Sequence, residues 1–149
     1  MKPRIVLDTS FILPFLGVRV RGVDPGVVEG YAEQGYELLY PALALPELLG
    51  VIARVVERAG LSKPPREAVE GLEALLAGED VRLVEPRLAH LETALLLRLS
   101  GHRDIFDCIM YATALHENAS LLTIDEVLVE SVKRAGLDPS IVLLVKHTH

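Results

Sequence analysis

The sequence predicts an α/β domain built on a mainly parallel sheet. Five short apolar runs alternate along the chain with segments of helical periodicity, a pattern typical of strands joined by helical crossovers. The length of 149 residues suits one ordinary domain with its own core, so we expect a single domain over residues 1–149. No apolar run reaches the roughly 20 residues that a membrane-spanning helix needs, and we expect no membrane association.

The predicted strands are short and rich in valine, isoleucine and leucine. The first strand is stopped by Asp8-Thr9-Ser10, as expected of a buried parallel strand that leads into a helix. The fourth strand is also followed by an acid, Asp125. The five strand predictions are residues 4–7, 37–40, 81–84, 120–123 and 141–145.

Capping residues, prolines and glycines set the limits of the predicted helices. Thr9 or Ser10 can cap the first helix, and Pro25 suits the first turn of the second. In the fifth helix, leucines recur with the helical period. The helix predictions are residues 11–16, 25–35, 44–59, 64–78, 88–99, 104–116 and 126–135. Residues 146–149 are expected to form a frayed tail.

Charge and composition limit the classes of function. With 15 basic and 21 acidic residues the net charge is -6, which argues against holding nucleic acid through a large basic face. The single cysteine, Cys108, can form neither an internal disulfide nor a zinc site alone, which fits a reducing, cytoplasmic compartment. Gln34 and Asn118 are the only side-chain amides. This depletion predicts a thermophilic protein whose Tm lies above the mesophile range of about 45–65 °C.

Four acidic residues occupy positions that a solvated surface does not explain when they are taken together. Asp8 and Asp125 follow predicted strands, and the carboxyl ends of neighbouring parallel strands face one crevice. Glu47 and Asp107 lie inside apolar helical segments, where a carboxylate needs a partner or a cation. Each acid also has a structural explanation, as a helix cap or a first-turn acid, and Asp104 is best explained as a cap.

Four carboxylates brought together must take up protons or bind a cation. An all-oxygen site favours Mg²⁺ or Mn²⁺, and Mg²⁺ usually also contacts a substrate phosphate, which points to phosphodiester chemistry. Other sites fit less well, because Ser10 stands where a haloacid-dehalogenase phosphatase has its second aspartate, and no glycine-rich phosphate loop occurs. The histidines lack metal-ligand spacing and are interpreted as solvated or incidental: His90, His102, His116, His147 and His149.

The acidic residues stand in motifs that resemble those of the PIN-domain ribonucleases, in matching order and spacing across nearly the whole chain. The motifs are Ile5-Val6-Leu7-Asp8-Thr9-Ser10, Leu45-Pro46-Glu47-Leu48, the segment from Asp104 to Ala114, and Leu121-Leu122-Thr123-Ile124-Asp125. The chain length is close to that of compact toxin-type, VapC-like members. The resemblance implies a three-layer α/β/α sandwich around a mainly parallel five-stranded sheet.

The resemblance also assigns roles to residues. It implies a catalytic quartet that holds one or two Mg²⁺ or Mn²⁺ ions: Asp8, Glu47, Asp107 and Asp125. It implies that Thr9 or Ser10, together with Thr123, orients those acids or a metal-bound water. It also implies that Asp104 is an accessory acid. Because the chain is acidic overall, RNA must be held by local basic patches. The candidates are Arg19 and Arg21 in the first loop, Arg54 and Arg58 on one helix, and His102-Arg103 beside the third motif.

Partners follow from the same resemblance. Family members commonly form homodimers, and toxin-type members are usually held inactive by a small antitoxin protein. The sequence thus predicts a metal-dependent endoribonuclease that is the toxin of a toxin–antitoxin pair. Because no histidine is placed for general-base work, the metal is expected to do most of the activation. Two alternatives stay open: an RNA-processing PIN nuclease without an antitoxin, and a non-catalytic PIN module that binds RNA or protein.

Overall fold

The computed structural model describes residues 2–145, in which five strands form one all-parallel sheet. The strands are β1 (Arg4–Leu7), β2 (Glu37–Pro41), β3 (Val81–Val84), β4 (Ser120–Thr123) and β5 (Val142–Leu144). Their order across the sheet is β3-β2-β1-β4-β5, so β1 is central and β3 and β5 form the edges. The α/β class and the parallel five-stranded sheet predicted from the sequence are confirmed.

The strands of the described chain are joined by α-helices and short 3-10 segments. The α-helices are α1 (Thr9–Ile12), α2 (Pro25–Glu33), α3 (Leu45–Arg58), α4 (Arg66–Ala77), α5 (Leu88–Leu99), α6 (Ile105–His116) and α7 (Glu126–Arg134). The 3-10 segments are Leu13–Leu16, Ala42–Ala44 and Pro139–Ile141. Between residues 2 and 145, no helix combines the length and the apolar character needed to cross a membrane.

The strand order distributes the helices over both faces of the sheet. The chain steps from β1 to β2 to β3 in one direction and then returns past β1 to β4. Right-handed crossovers therefore put the helices that precede β3 on one face, and α5, α6 and α7 on the other. In agreement, α6 packs against β1, β2 and β4, and α5 packs on α6. This is the three-layer α/β/α arrangement that the resemblance implies.

The core lies between the two central strands and the helices that cover them. Ile5, Val6 and Leu7 of β1 are fully buried, and so are Leu121 and Leu122 of β4. Uninterrupted apolar runs of this kind belong to strands that are covered on both faces, because every side chain must then avoid water. The burial of β1 and β4 fixes the position of the residues that follow them at the carboxyl edge of the sheet.

The structure corrects two predicted boundaries. The first helix begins at Thr9 with Asp8 as its N-cap, so neither Thr9 nor Ser10 caps it. It changes to a 3-10 segment at Leu13, because Pro14 has no N–H to continue the α-helical hydrogen bonds. The last strand is shorter than predicted, because the chain up to Ile141 is still in a 3-10 turn. The predicted tail, residues 146–149, lies outside the described residues.

Candidate metal centre

Asp8 directly follows the central strand and uses its two carboxylate oxygens differently. The Ser10 amide donates to Asp8 Oδ1 at 2.7 Å, which caps α1. The Thr123 hydroxyl donates to Asp8 Oδ2 at 2.7 Å from the end of β4. Burial raises the pKa of the Asp8 carboxyl above its usual value, while the bonds from Thr123 and Ser10 oppose that rise. One oxygen of Asp8 therefore serves the helix and the other faces the neighbouring strand.

Asp125 lies two residues beyond β4 and shares Thr123 with Asp8. The Val127 amide donates to Asp125 Oδ1 at 2.9 Å, so this acid caps α7. The buried Thr123 hydroxyl accepts from the Asp125 amide at 3.1 Å while it donates to Asp8. Because β1 and β4 are hydrogen-bonded neighbours, the two strand-end acids come to the same edge of the sheet. Thr123 is the physical link between them.

Asp107 lies in the first turn of α6, and Asp104 caps that helix. Asp104 Oδ1 accepts from the Phe106 amide at 2.9 Å and from the Asp107 amide at 3.4 Å, so the structure gives Asp104 a capping role. The Asp107 side chain is only 21% exposed. Burial raises the pKa of Asp107 to about 9, and hydrogen bonding with Asp125 and the charge of Asp104 act in the same direction. Asp107 is thus the most strongly perturbed acid of the site.

His102, which the sequence analysis named only as a candidate RNA contact beside Arg103, contacts the acids of this site. It is 4% exposed, so the prediction of solvated or incidental histidines is wrong for it, as it is for the buried His90. His102 Nε2 lies 2.9 Å from Asp107 Oδ2 and 3.9 Å from Asp125 Oδ2. In the sequence it stands five residues before Asp107 and directly after Gly101, a position that does not by itself mark a site residue. Gly101 has a φ of +115°, which side chains rarely adopt, and it turns the chain at this point.

A polar chain holds the His102 ring on its other side. His102 Nδ1 lies 2.8 Å from Oγ of the buried Ser131 in α7, and Ser131 Oγ accepts from Arg134 Nη2 at 3.2 Å. One nitrogen of His102 and one oxygen each of Asp107 and Asp125 all lie within 4.8 Å of one another. Carboxylate oxygens at such separations can share one cation. We call these three residues the histidine–aspartate cluster.

Glu47 comes from the first turn of α3 and is held by Thr9. The Thr9 hydroxyl donates to Glu47 Oε1 and lies 2.7 Å from Tyr40 Oη, and burial of Tyr40 raises the pKa of its phenol. Burial also raises the pKa of Glu47, and the charges of Asp104 and Asp8 add to that rise. Glu47 therefore shares the electrostatic field of the other acids, although it is outside the histidine–aspartate cluster.

The charge of the site fits a cation. Within residues 2–145, no lysine or arginine nitrogen lies within 4.0 Å of any member of the quartet: Asp8, Glu47, Asp107 and Asp125. Partly buried carboxylates with raised pKa values must hold protons or bind a cation, and a divalent ion can replace those protons. Carboxylate oxygens are the donors that Mg²⁺ and Mn²⁺ prefer. The residues present thus fit a hard divalent ion.

The arginines predicted to hold RNA lie at the surface. Arg19 and Arg21 are exposed in the connection before α2, and Arg103 is exposed between His102 and Asp104. Arg54, exposed on α3, lies near enough to Glu47 for its charge to oppose the rise of that pKa. Arg58 is also exposed on α3. Arg54 is therefore the candidate arginine whose charge reaches an acid of the quartet, and Arg103 adjoins Asp104 in the sequence.

The fold and the site together define a parallel α/β domain with an acidic, cation-compatible centre at the carboxyl edge of its sheet. The PIN domain family model matches residues 5–133, which include all four acids of the quartet. The chain belongs to the PIN-domain family. A comparison with curated protein sequences finds no match.

Solved structures with a similar fold include toxin–antitoxin complexes. A toxin-antitoxin complex from Klebsiella pneumoniae aligns over 97% of this chain and 99% of its own, with a TM-score of 0.60 and 12% identity. VapBC2 from Rickettsia felis, bound to a DNA fragment from its promoter, aligns over 95% and 98%, with a TM-score of 0.61 and 14% identity. PAE2754 from Pyrobaculum aerophilum aligns over 87% and 79%, with a TM-score of 0.53 and 14% identity. At these identities the likeness establishes the fold.

Proposed function

We propose that this chain is a metal-dependent endoribonuclease that hydrolyses RNA phosphodiester bonds, and that it is the cytoplasmic toxin of a toxin–antitoxin pair. One observation carries the proposal: the histidine–aspartate cluster lies at the carboxyl edge of a PIN-family sheet, and Thr123 ties Asp8 to it. Acids with raised pKa values that pair with no lysine or arginine among the described residues are typical of functional sites rather than of structural ion pairs.

Each group of the chain has its own task in this proposal. Asp8, Asp107 and Asp125 would hold the ion, with Glu47 as the fourth acid of the set. When bound, Mg²⁺ or Mn²⁺ supplies an acidified water for attack on phosphorus and positive charge for the phosphate oxygens. Thr123 orients Asp8 through its hydroxyl, and Thr9 orients Glu47 in the same way.

Substrate RNA needs positive charge close to the acids, because the chain as a whole is acidic. Exposed Arg54 and Arg103 beside the site bind backbone phosphates in this proposal, and Arg19 and Arg21 extend the basic surface away from it. Phosphate contacts fix the position of the strand without reading its sequence.

Cleavage of labelled RNA by the purified chain, freed of any partner, tests the proposal. We expect cleavage with Mn²⁺ or Mg²⁺, none in EDTA, and products with 5′-phosphate and 3′-hydroxyl ends. Intact RNA in the presence of both ions contradicts the proposal. Mn²⁺ binding without cleavage then favours a non-catalytic module. Cleavage by a chain whose gene has no small neighbouring open reading frame favours RNA processing over a toxin.

Two apolar grooves beside Phe15 support an antitoxin partner. One groove runs between Ile12, Leu16 and α4, and the other between Phe11 and α2, with Phe15 lining both. Phe15 is 40% exposed there, so an apolar segment of a partner could cover it. The toxin-antitoxin complexes among the solved structures of this fold favour the same interpretation.

Co-expression with the product of a small neighbouring open reading frame tests this partner. We expect the two proteins to copurify and RNA cleavage to be inhibited, with both effects lost in Phe15→Glu. Val127→Glu is the matched control, because Val127 is also an exposed apolar residue but does not line the two grooves. Equal loss in both variants contradicts a role for the grooves.

The outer face of α5 supports the homodimer. Its inward side is buried through His90, Ala94 and Leu97. Its outward side carries leucines that are between 41% and 83% exposed: Leu88, Leu91, Leu95 and Leu99. We call these four residues the leucine stripe. A contiguous exposed apolar stripe on a helix is typical of an interface, because water would otherwise surround it.

A second copy of this chain suits the leucine stripe. Two copies related by a two-fold axis present the same apolar surface to each other, so each stripe covers the other and both lose contact with water.

A charge placed in the stripe tests this pairing in solution. Leu95→Glu should weaken the dimer, because it puts a charged group into an apolar contact. Light scattering over a concentration series measures the change. A wild-type chain that stays monomeric throughout, or a Leu95→Glu variant that dimerises like the wild type, contradicts pairing through α5.

A further inference from the structure

We infer that His102 is a positioning residue for Asp107: its Nε2–H donates to Asp107 Oδ2 and holds that carboxylate beside Asp125, facing the bound ion. The inference rests on the proposed metal site. It assigns a function to a buried histidine that none of the four acidic motifs includes.

The hydrogen bonds behind the ring assign the proton to Nε2. Arg134 Nη2 lies 3.2 Å from Ser131 Oγ and can only donate, so Ser131 accepts there. The Ser131 hydroxyl proton is then available for His102 Nδ1, which lies 2.8 Å away. With Nδ1 accepting, the neutral ring carries its hydrogen on Nε2. Arg134, Ser131 and His102 thus form one directed chain that ends at Asp107.

The location of His102 suits a residue that fixes the relative position of two helices. It lies in the connection from α5 to α6, its Nδ1 partner is on α7, and its Nε2 partner is on α6. A buried donor with two fixed partners has little freedom to rotate, so the oxygen it holds is also fixed. Without this donor, Asp107 and Asp125 would repel each other and Asp107 could turn away.

An Nε2 atom that carries hydrogen has no free electron pair for an ion. The inference therefore implies that the ion's protein ligands are carboxylate oxygens. His102 orients Asp107 and does not itself bind the ion. Partners of metal ligands commonly contribute about 10–100-fold to metal affinity, because they orient a ligand that would otherwise sample several directions. The same range is expected for His102.

Mn²⁺ affinity of the full chain, measured by calorimetry at neutral pH, is the primary test. His102→Phe keeps a flat ring without a donor and should raise the Kd for Mn²⁺ by about 10–100-fold. His102→Gln keeps an N–H donor and should recover part of the affinity. Ser131→Ala should weaken binding in the wild-type background and have no further effect in His102→Phe, since both act through one chain.

Two further measurements separate positioning from other roles. His90 is the matched control, because it is equally buried but bonds Arg87 and Glu117 away from the site, and His90→Phe should leave the Kd for Mn²⁺ unchanged. Pulsed electron paramagnetic resonance of the Mn²⁺ complex should show no directly bound imidazole nitrogen.

Each contrary outcome is decisive. A directly bound nitrogen makes His102 a ligand and overturns the inference. An unchanged Kd in His102→Phe, or the same loss in His90→Phe, overturns it as well. A wild-type chain that binds no Mn²⁺ overturns the proposed function itself, and the role of His102 with it. Mn²⁺ binding that is normal in the wild type and unchanged in His102→Phe overturns only the role of His102 and leaves the proposed function standing.

Discussion

Helices α5 and α6 have equal length and pack on each other, yet they use their apolar residues in different ways. Helix α6 is buried along its length through six residues: Cys108, Met110, Tyr111, Ala112, Thr113 and Ala114. Helix α5 buries only His90, Ala94 and Leu97 and turns its leucine stripe outward. Apolar periodicity therefore predicts that a segment is a helix, but not which of its faces meets the core.

The difference follows from where each helix lies. Helix α6 is between the sheet and α5, so small side chains such as Ala112 and Ala114 let it approach both. Helix α5 covers α6 from the outside, and the face of α5 that carries the leucine stripe is exposed. In α6, a charged residue is acceptable only at the beginning, where Asp107 meets the acids of the strands. The inner helix thus carries the partly buried acid Asp107, and the outer helix leaves an apolar face exposed.

The largest expected effect is at the beginning of α6. Asp107→Asn keeps the size of the side chain and an oxygen for His102, but removes a ligand charge, so RNA cleavage should fall by roughly 10²–10³-fold or more. The thermal stability of the metal-free protein should hold or rise, because one repelling carboxyl is gone. RNA cleavage and a melt in EDTA measure the two effects. A strong loss of metal-free stability contradicts a ligand role.

A pair of packing variants tests the inner and outer helices directly. Ala112→Leu adds volume to a fully buried position and should lower the free energy of unfolding by about 1–3 kcal/mol. Leu95→Gln in the leucine stripe should change it by no more than about 0.5 kcal/mol at concentrations where the chain is monomeric. Urea unfolding at low protein concentration measures both. Equal losses would show that α5 and α6 contribute equally to the core.

A smaller, pH-dependent effect should come from the same acid of α6. The folded pKa of Asp107, about 9, lies above its usual value of 3.8, so the folded state binds more protons than the unfolded state. The free energy of unfolding of the metal-free chain should therefore decrease as pH rises between these values. Melts in EDTA from pH 5 to 8 should show a falling Tm, with a shallower slope in Asp107→Asn.

Two other acids set the lower limit of the pH range for these melts, and bound metal should reverse the fall of Tm with pH. Ion-paired Glu37 and hydrogen-bonded Glu117 have lowered pKa values, so their stabilisation is lost only as the pH falls below about 4.5. In Mn²⁺ the stabilisation should grow as pH rises, because ion binding releases the protons that the acids hold. A Tm without Mn²⁺ that rises from pH 5 to 8 contradicts the raised pKa of Asp107.

The smallest expected effect is at Asp104, one turn away from Asp107. Asp104→Asn should cost only a few tenths of a kcal/mol, because asparagine caps a helix about as well as aspartate. It should also leave cleavage largely intact, which makes it the internal control for Asp107→Asn. Parallel RNA assays on the two variants decide the ranking. An equal loss of cleavage would place Asp104 among the primary acids.

The helices, the strands and the parallel direction of the strands could be predicted from the sequence because the local signals agreed with one another. Apolar runs that end in Asp8 and near Asp125 predicted parallel strands whose ends share an edge, and the register of β1 with β4 produces that edge. The predicted start of the first helix was wrong because three consecutive polar residues, Asp8, Thr9 and Ser10, could each cap it. The oxygen of Asp8 is the one that reaches the amide of Ser10.

His102 could not be found from sequence spacing, because its partners are set by tertiary structure. Asp107 is five residues away, but Asp125 and Ser131 reach His102 only after β4 and α7 return beside α6. Its burial also depends on the turn at Gly101, a single residue whose backbone conformation the pattern does not specify. Acids in apolar segments stand out in a sequence, whereas a buried histidine in a polar connection does not.

Asp8 and Asp125 divide their two oxygens between a helix cap and the site, and this division has an evolutionary consequence. Asparagine preserves the capping oxygen and replaces the other with an amide nitrogen that repels a cation, and a single nucleotide change converts either aspartate codon to an asparagine codon. A gene of this kind can lose its chemistry in one step while the protein still folds. Any surface that binds a partner then survives, which gives such a lineage a short path from nuclease to binding protein.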